Sequence, residues 1–216
     1  MNMIKLFSYF RSSAAYRVRI ALNLKELPYD YEMIHLLRSG GEQHSNEYKN
    51  INPLKLVPTL IDGEHVLSQS LAIIEYLEEK FTDTFSLLPE DLEQRSYVRQ
   101  LSQIISCDIH PINNLRVLKY LNEELNVSDE GKKAWYAHWI KLGFDAFEEQ
   151  LTKTAGQFCV GEQPTIADCC LIPQVYNALR FQINIDNYPK IQNIYQHCMS
   201  IHAFKKAMPE NQPDAA

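Results

Sequence analysis

In the first third of the chain, the spacing of apolar residues switches repeatedly between the period of a strand and that of a helix. Met3, Ile4, Leu6 and Phe7 form a short apolar run that reads as a strand. It turns at once into residues 10–22, FRSSAAYRVRIAL, where Ala15, Val18, Ala21 and Leu22 recur at helical spacing behind a pair of serines placed to cap the helix. Leu27-Pro28 breaks that pattern, and residues 29–34 alternate as a second strand. The unit so far is βαβ, which implies a parallel pair with a right-handed crossover. A polar loop with Ser39-Gly40-Gly41 at its tip follows, then a short helix over 46–50. Thr59-Leu60-Ile61 and His65-Val66-Leu67 flank Asp62-Gly63 as a hairpin. Pro58 cannot donate to a sheet ladder, so the strand starts at it or its peptide bond is cis. From Ser70 onward, Leu71, Ile74, Leu77 and Phe81 share one helical face.

The remainder is helical in pattern. Residues 82–93 are polar, contain Pro89 and read as a linker. A long helix runs from near Gln94 towards Pro111, which should kink or interrupt it, and the pattern resumes through Leu115, Leu118 and Leu121. Residues 128–151 form a second helix that holds both tryptophans. Gly156 and Gly161 bracket a loop, a third helix begins at Thr165 and another at Pro189. The tail from Pro209 is expected to be disordered. The predicted organisation is an α/β domain over 1–83 and an all-helical domain over 84–216.

Composition narrows the function classes. A net charge of −6 argues against phosphate-backbone binding, so no nucleic-acid partner is expected. The start, MNMIKLFSYFR, lacks the apolar stretch and cleavage site of a secretory leader. No apolar run approaches the roughly 20 residues that span a bilayer. A cytoplasmic protein without membrane association is the expectation. The 5 cysteines are odd in number and form no C-x-x-C pair, which suits reduced thiols. Around Cys107-Asp108-Ile109-His110 no second ligand pair follows at metal-site spacing, so no metal is expected.

A βαβ–ββα unit with a proline before the third strand has the plan of a thioredoxin-like domain. Where redox members of that plan carry C-x-x-C, this chain has Ser12-Ser13-Ala14-Ala15. Dithiol chemistry in this domain is therefore excluded. What remains is a place where serine hydroxyls and a helix N-terminus favour the thiolate of a ligand. Val57, before Pro58, can offer its backbone to a short extended peptide. Ser68-Gln69-Ser70 opens the next helix, whose free N–H groups suit a carboxylate. A peptide with a thiol in the middle and a carboxylate at each end fits both, and glutathione is such a peptide.

Five stretches carry a family resemblance: FRSSAAYRVRIALNLK, NPLKLVPTL, QSLAIIEYLEE, CDIHPINNLRVL and ADCCLIPQVYNALRF. Over nearly its whole length the chain resembles the glutathione transferase superfamily. More narrowly it is similar to the zeta class, whose characterised members are maleylacetoacetate isomerases. The zeta signature is S-S-C-x-x-R-V-R, and here Ala14 replaces the cysteine. The resemblance implies a thioredoxin-like domain followed by a helical one, glutathione as cofactor, a diketo-acid substrate and a homodimer. It implies that Ser12 stabilises the glutathione thiolate with help from Ser13, and that Gln43, Val57, Gln69 and Ser70 bind the glutathione backbone and carboxylates. His110, Asn114, Leu115 and Arg116 match positions that reach the ligand from the helical domain. Arg11, Arg116 and Arg180 match arginines that hold substrate carboxylates and enolate charge.

The implied chemistry explains those residue types. Rotation about a carbon–carbon double bond is forbidden until its order falls. Addition of a thiolate to a conjugated diketone makes the bond single and puts negative charge on an enolate oxygen. Rotation and expulsion of the thiolate then give the trans isomer. Maleylpyruvate isomerase, with the same mechanism and a shorter diacid, is the nearest alternative. A transferase acting on small electrophiles such as α-haloacids and a non-catalytic binding module are further ones. Simpler structural roles also apply. Arg17 and Arg19, two apart on one helix, face different ways and are expected to meet solvent or a partner subunit. Thr165-Ile166-Ala167-Asp168 is a capping pattern, and Cys169 and Cys170 are core residues.

Overall fold

The computed structural model describes residues 3–215 and divides into two units, Met1–Leu87 with Met199–Ala216 and Leu88–Cys198. The first unit is built on β1 (Ile4–Ser8), β2 (Tyr29–Met33), β3 (Thr59–Asp62) and β4 (His65–Ser68), in the order β2-β1-β3-β4. β1 pairs parallel with β2 and antiparallel with β3, and β3 with β4 is the antiparallel hairpin that Asp62-Gly63 predicts. Gly63 takes φ 63° in that turn, a left-handed conformation that glycine adopts without steric cost. The Val57-Pro58 peptide is cis. Helices α1 (Ser13–Leu24), α2 (Asn46–Ile51) and α3 (Ser70–Lys80) complete the expected βαβ–ββα order. Leu6 and Leu60 from the sheet, Val18 and Leu22 from α1, and Ile73, Ile74 and Leu77 from α3 are fully buried.

The second unit contains α4 (Leu92–Gln103), α5 (Leu115–Glu123), α6 (Asp129–Thr154), α7 (Ile166–Arg180) and α8 (Pro189–Cys198). Pro111 has the anticipated effect. Before it the helix widens into a π-helical turn, Ile104–Ile109, and after it the chain turns before α5. α6 packs closely against that turn: a Cβ on Gly143 would run into the Ile109 side chain. Asp168 is buried and accepts from Cys159 N–H at 2.8 Å, Thr165 N–H at 2.8 Å and the Thr165 hydroxyl at 2.9 Å. Burial raises its pKa and these donors oppose the rise. Desolvation also pushes the Cys159 and Cys198 thiols up, so they are poor nucleophiles. Among the described residues, no helix is long and apolar enough to cross a membrane.

Three expectations need correction. Arg17 and Arg19 do face different ways, but both are buried, at 2% and 0% exposure. α1 is covered by α3 on one side and on another by α9 (His202–Ala207), which comes from the far end of the chain. The tail is ordered through residue 215: a 3-10 turn, Pro209–Asn211, leads to Gln212, whose amide donates to Lys206 O and Met208 O at 2.8 Å each. Consequently residues 199–215 group with the first unit, whereas the sequence pattern placed them in the helical domain. The stretch after α3 is also held, because Lys25 Nζ donates to Glu78 Oε1 at 2.7 Å and to Phe85 O at 2.9 Å.

Candidate active site

The register of the sheet gathers several predicted residues at one end. Phe7 of β1 pairs with Thr59 of β3, Thr59 pairs with Ser68 of β4, and Ser8 pairs with Met33 of β2. Four connections therefore meet at this end. They are the turn from β1 into α1, the loop after β2, the Val57-Pro58 approach to β3 and the step from β4 into α3. Arg11, Ser12, Ser13, Gln43, Val57, Gln69 and Ser70 all lie on these connections.

Ser12 is the N-cap of α1, and its Oγ accepts from Ala15 N–H at 3.2 Å. A hydroxyl that accepts through its oxygen still has its own O–H to donate. With the first-turn N–H groups and the positive end of the helix beside it, the cap suits an anion. Ser13 is buried as the first helical residue, while Ala14 offers no titratable group. Arg11 is exposed, with its guanidinium 4.8 Å over the Phe10 ring.

Two of the other connections carry buried polar groups without a partner among the described residues, and the third carries the exposed Gln69 in a strained cap. Val57 is buried, and its peptide N–H and C=O make no hydrogen bond among the described residues. Gln43 is 7% exposed, and its Oε1 has no partner among the described residues. Its loop is folded back by His35 N–H donating to Glu42 Oε2 at 2.6 Å, and the His35 ring packs edge-on to Tyr9 at 5.0 Å. Gln69 caps α3 at φ 71°, ψ 113°, a costly conformation for a residue with a Cβ, and its side chain makes no capping bond. Buried amide and peptide groups are nearly always paired, so this grouping suits a ligand that supplies the partners. Glutathione, with its amides and two carboxylates, fits that donor and acceptor set.

In the second unit the remaining predicted residues fall in two places. His110 and Asn114 lie on the turn before α5, which α6 braces, and Leu115 and Arg116 open α5 itself. Trp135 Nε1–H donates to Ile112 O at 3.0 Å, and Asn113 Nδ2–H donates to Tyr136 O at 3.2 Å. The Asn114 side-chain oxygen accepts from Arg116 N–H at 3.2 Å as the cap of α5, which leaves its amide hydrogens available. Arg180 ends α7, exposed and stacked 4.6 Å over Phe181. Tyr136 stacks on Phe181 at 4.0 Å, and its hydroxyl hydrogen-bonds with Arg180. Burial raises the Tyr136 pKa to about 12, opposed by Arg180. Among the described residues, no group of three or more His, Cys, Asp and Glu side chains is arranged to hold a metal ion.

Sequence reasoning missed the buried supports of the site. Arg17 Nη1–H donates to Ser70 Oγ at 3.2 Å, so a helix-α1 arginine orients a predicted carboxylate binder. Tyr136 has no marker in the sequence, since nothing local separates it from the other aromatics of α6.

Residues 2–79 match the family described as glutathione S-transferase, N-terminal domain, and residues 112–208 match glutathione S-transferase, C-terminal domain. A probable maleylacetoacetate isomerase of Vibrio cholerae is 53% identical, over 100% of both chains. A solved holo structure of a maleylpyruvate isomerase, a bacterial glutathione S-transferase in the zeta class, aligns with TM-score 0.94 and 45% identity. The match covers 98% of this chain and 100% of that one. The chain belongs to the zeta-class glutathione transferase family. A maleylacetoacetate isomerase from Methylobacterium extorquens AM1, solved with bound malonate and glutathione, aligns with TM-score 0.91 at 37% identity, covering 98% of this chain and 99% of that one. Within this family the fold is a thioredoxin-like unit plus a helical unit, as the sequence pattern implies. Ala14 sits in the first turn of α1, so the side-chain hydroxyls at that helix start are those of Ser12 and Ser13.

Proposed function

We propose that the protein is a glutathione-dependent cis–trans isomerase that converts maleylacetoacetate to fumarylacetoacetate in tyrosine and phenylalanine breakdown. The observation that carries this reading is the Ser12 cap. Its O–H is left to donate at a helix N-terminus, on the same sheet end as the unpaired Val57 peptide and the Gln69-Ser70 start of α3. The names of the relatives support the substrate class, and the bound glutathione of one solved relative supports the cofactor.

Bound glutathione supplies the nucleophilic thiolate whose reversible addition lets the double bond rotate. Ser12 donates its hydroxyl to that sulfur, and the α1 N-terminus lowers the cost of its charge. The Val57 N–H and C=O pair with the peptide backbone of the cofactor. Ser70, oriented by Arg17, and the free N–H groups of α3 hold a carboxylate, and Gln43 and Gln69 supply further polar contacts. The resemblance assigns substrate carboxylate and enolate charge to Arg11, Arg116 and Arg180, whose guanidinium groups stay charged and fork onto carboxylates. The family resemblance assigns ligand contacts to His110, Asn114 and Leu115 as well. Stabilisation of the developing charge, rather than of the ground state, is what speeds the rotation.

The solved maleylpyruvate isomerase at TM-score 0.94 favours one second reading, the shorter diacid maleylpyruvate. Following the ultraviolet absorbance of maleylacetone and of maleylpyruvate with and without glutathione separates the two. Glutathione-dependent turnover of maleylacetone is expected. Turnover of maleylpyruvate alone would transfer the assignment to the shorter diacid, and no glutathione-dependent change with either would remove the isomerase reading.

A cytosolic homodimer completes the proposal. Four buried cysteines without disulfides suit a reducing compartment. The exposed Leu92 and Tyr97 of α4, beside a groove lined by Ser96, Arg99 and Gln103, suit an interface between copies.

A further inference from the structure

The turn that carries Ser12 is held from the far end of the chain. Asp214 Oδ2 accepts from Phe10 N–H at 3.0 Å, and Asp214 Oδ1 accepts from the Tyr31 hydroxyl at 2.7 Å. The carboxylate therefore bridges β2 to the first residues after β1, across a sequence separation of about two hundred residues. Beneath the same turn lies Arg19. Its Nη1 donates to Ser8 Oγ at 3.1 Å and Tyr9 O at 3.4 Å, its Nη2 to Phe10 O at 3.0 Å, and its Nε to Ala207 O at 3.1 Å. The guanidinium also lies 5.2 Å over the Tyr16 ring. Burial pulls the Arg19 pKa down, and Tyr31, Tyr29, Tyr16 and Asp214 oppose that pull, so the carboxylate helps keep the buried guanidinium charged.

Both peptide groups of Phe10 are thus fixed, its N–H by the tail and its C=O by Arg19. Tyr9 O in turn accepts from Ser12 N–H at 2.9 Å, which sets the cap two residues on. Ala215 packs on the cluster formed by Tyr9, Phe10, Tyr48 and Val57, so the tail also backs the peptide-binding approach to β3. A tail that merely covered the sheet would need apolar contacts only. A buried carboxylate aimed at one main-chain N–H beside the cap does something more specific.

We propose that Asp214 is a positioning residue for the thiolate site, holding the Phe10 peptide so that the Ser12 hydroxyl meets the sulfur of bound glutathione. This rests on the assignment of Ser12 to that sulfur. Loss of the carboxylate releases the Phe10 N–H and lets the cap drift, so the hydroxyl no longer favours the charged sulfur. Placement errors of this kind cost rate without touching any reacting group.

The test is a titration of the thiol of bound glutathione, followed by thiolate ultraviolet absorbance on the full-length protein, with no diacid present. The unsubstituted protein is expected to lower the midpoint below that of free glutathione. Asp214→Ala is expected to raise the bound midpoint by about one pH unit and to lower the isomerase kcat about tenfold. Asp214→Asn keeps an acceptor oxygen for the Phe10 N–H and is expected to stay within about threefold of the unsubstituted kcat. A tail that only docks would lower the melting temperature of Asp214→Ala and leave the titration where it was, and that result overturns the proposal. Should Asp214→Ala not fold, Tyr31→Phe removes one of the two bonds that aim the carboxylate, and an unmoved midpoint in that variant is equally fatal. If the unsubstituted protein does not lower the thiol midpoint at all, the Ser12 assignment fails first, and the role of Asp214 goes with it.

Discussion

Arg17 on α1 donates its Nη1–H to the Ser70 hydroxyl oxygen at the start of α3, over 3.2 Å and in a buried setting. The bond ties the helix that carries the Ser12 cap to the helix end assigned to a glutathione carboxylate. Arg17→Met removes the donor and leaves Ser70 free to rotate. The KM for glutathione is expected to rise about tenfold, the value of one charge-assisted hydrogen bond, with a smaller change in kcat. Steady-state kinetics with varied glutathione measures the split. An unchanged KM for glutathione would show that Ser70 is not held in this way.

Tyr136 is expected to matter for the diacid and not for glutathione. Its hydroxyl hydrogen-bonds with Arg180, and its ring shares the Phe181 face with the guanidinium. Tyr136→Phe keeps the stack and loses the hydrogen bond. The KM for the diacid is predicted to rise roughly fivefold, a loss of about 1 kcal/mol. The KM for glutathione should hold. A variant with the diacid KM of the parent would detach Tyr136 from substrate binding.

Gly143 tests the packing of the π-helical turn. Any side chain there meets Ile109, so Gly143→Ala must push α6 away from the turn or force Ile109 out of its rotamer. The predicted loss is about 1–3 kcal/mol of stability, seen as a lower midpoint in urea at unchanged slope. An alanine variant as stable as the parent would mean that the turn yields freely.

The hairpin should contribute a pH-dependent stability. Partial burial pushes the Asp62 carboxyl up, but hydrogen bonds from Lys80 and Tyr76 outweigh it and hold the pKa below the ordinary value of 3.8. A lowered native pKa means that the unfolded chain binds the proton first as pH falls. The contribution is therefore complete above 3.8 and is lost as pH drops through that value towards the native one. Asp62→Asn should flatten the fall in melting temperature between about pH 5 and about pH 2. Parallel curves for the two proteins would remove this role.

How much of this was readable from sequence depends on the range of the interactions. The βαβ–ββα order and the Ser12 cap were legible because strand alternation, helix spacing, capping serines and Asp62-Gly63 are local signals. Pro111 announced its interruption for the same reason. Arg17 and Arg19 were misread because burial of a helix face depends on what covers it, and α9 arrives from the other end of the chain. The tail looked disordered because its few polar residues carry no periodicity. Its order comes from single contacts of Gln212 and Asp214 with distant backbone. Of the candidate site, sequence order pointed to Ser12, Val57, Gln69 and Ser70, while their meeting at one sheet end needed the register of β1, β3 and β4. Tyr136 needed the packing of α6 on the end of α7.

The central claim is that the Ser12 hydroxyl holds the thiolate that drives isomerisation. Glutathione-dependent turnover of maleylacetone by Ser12→Ala, with Ser13→Ala and the parent beside it, tests this most directly. Removal of the donor at the reacting sulfur is predicted to lower kcat by about 10²–10³ in Ser12→Ala, with a smaller loss in Ser13→Ala. A Ser12→Ala protein that isomerises maleylacetone at the rate of the parent would contradict the account.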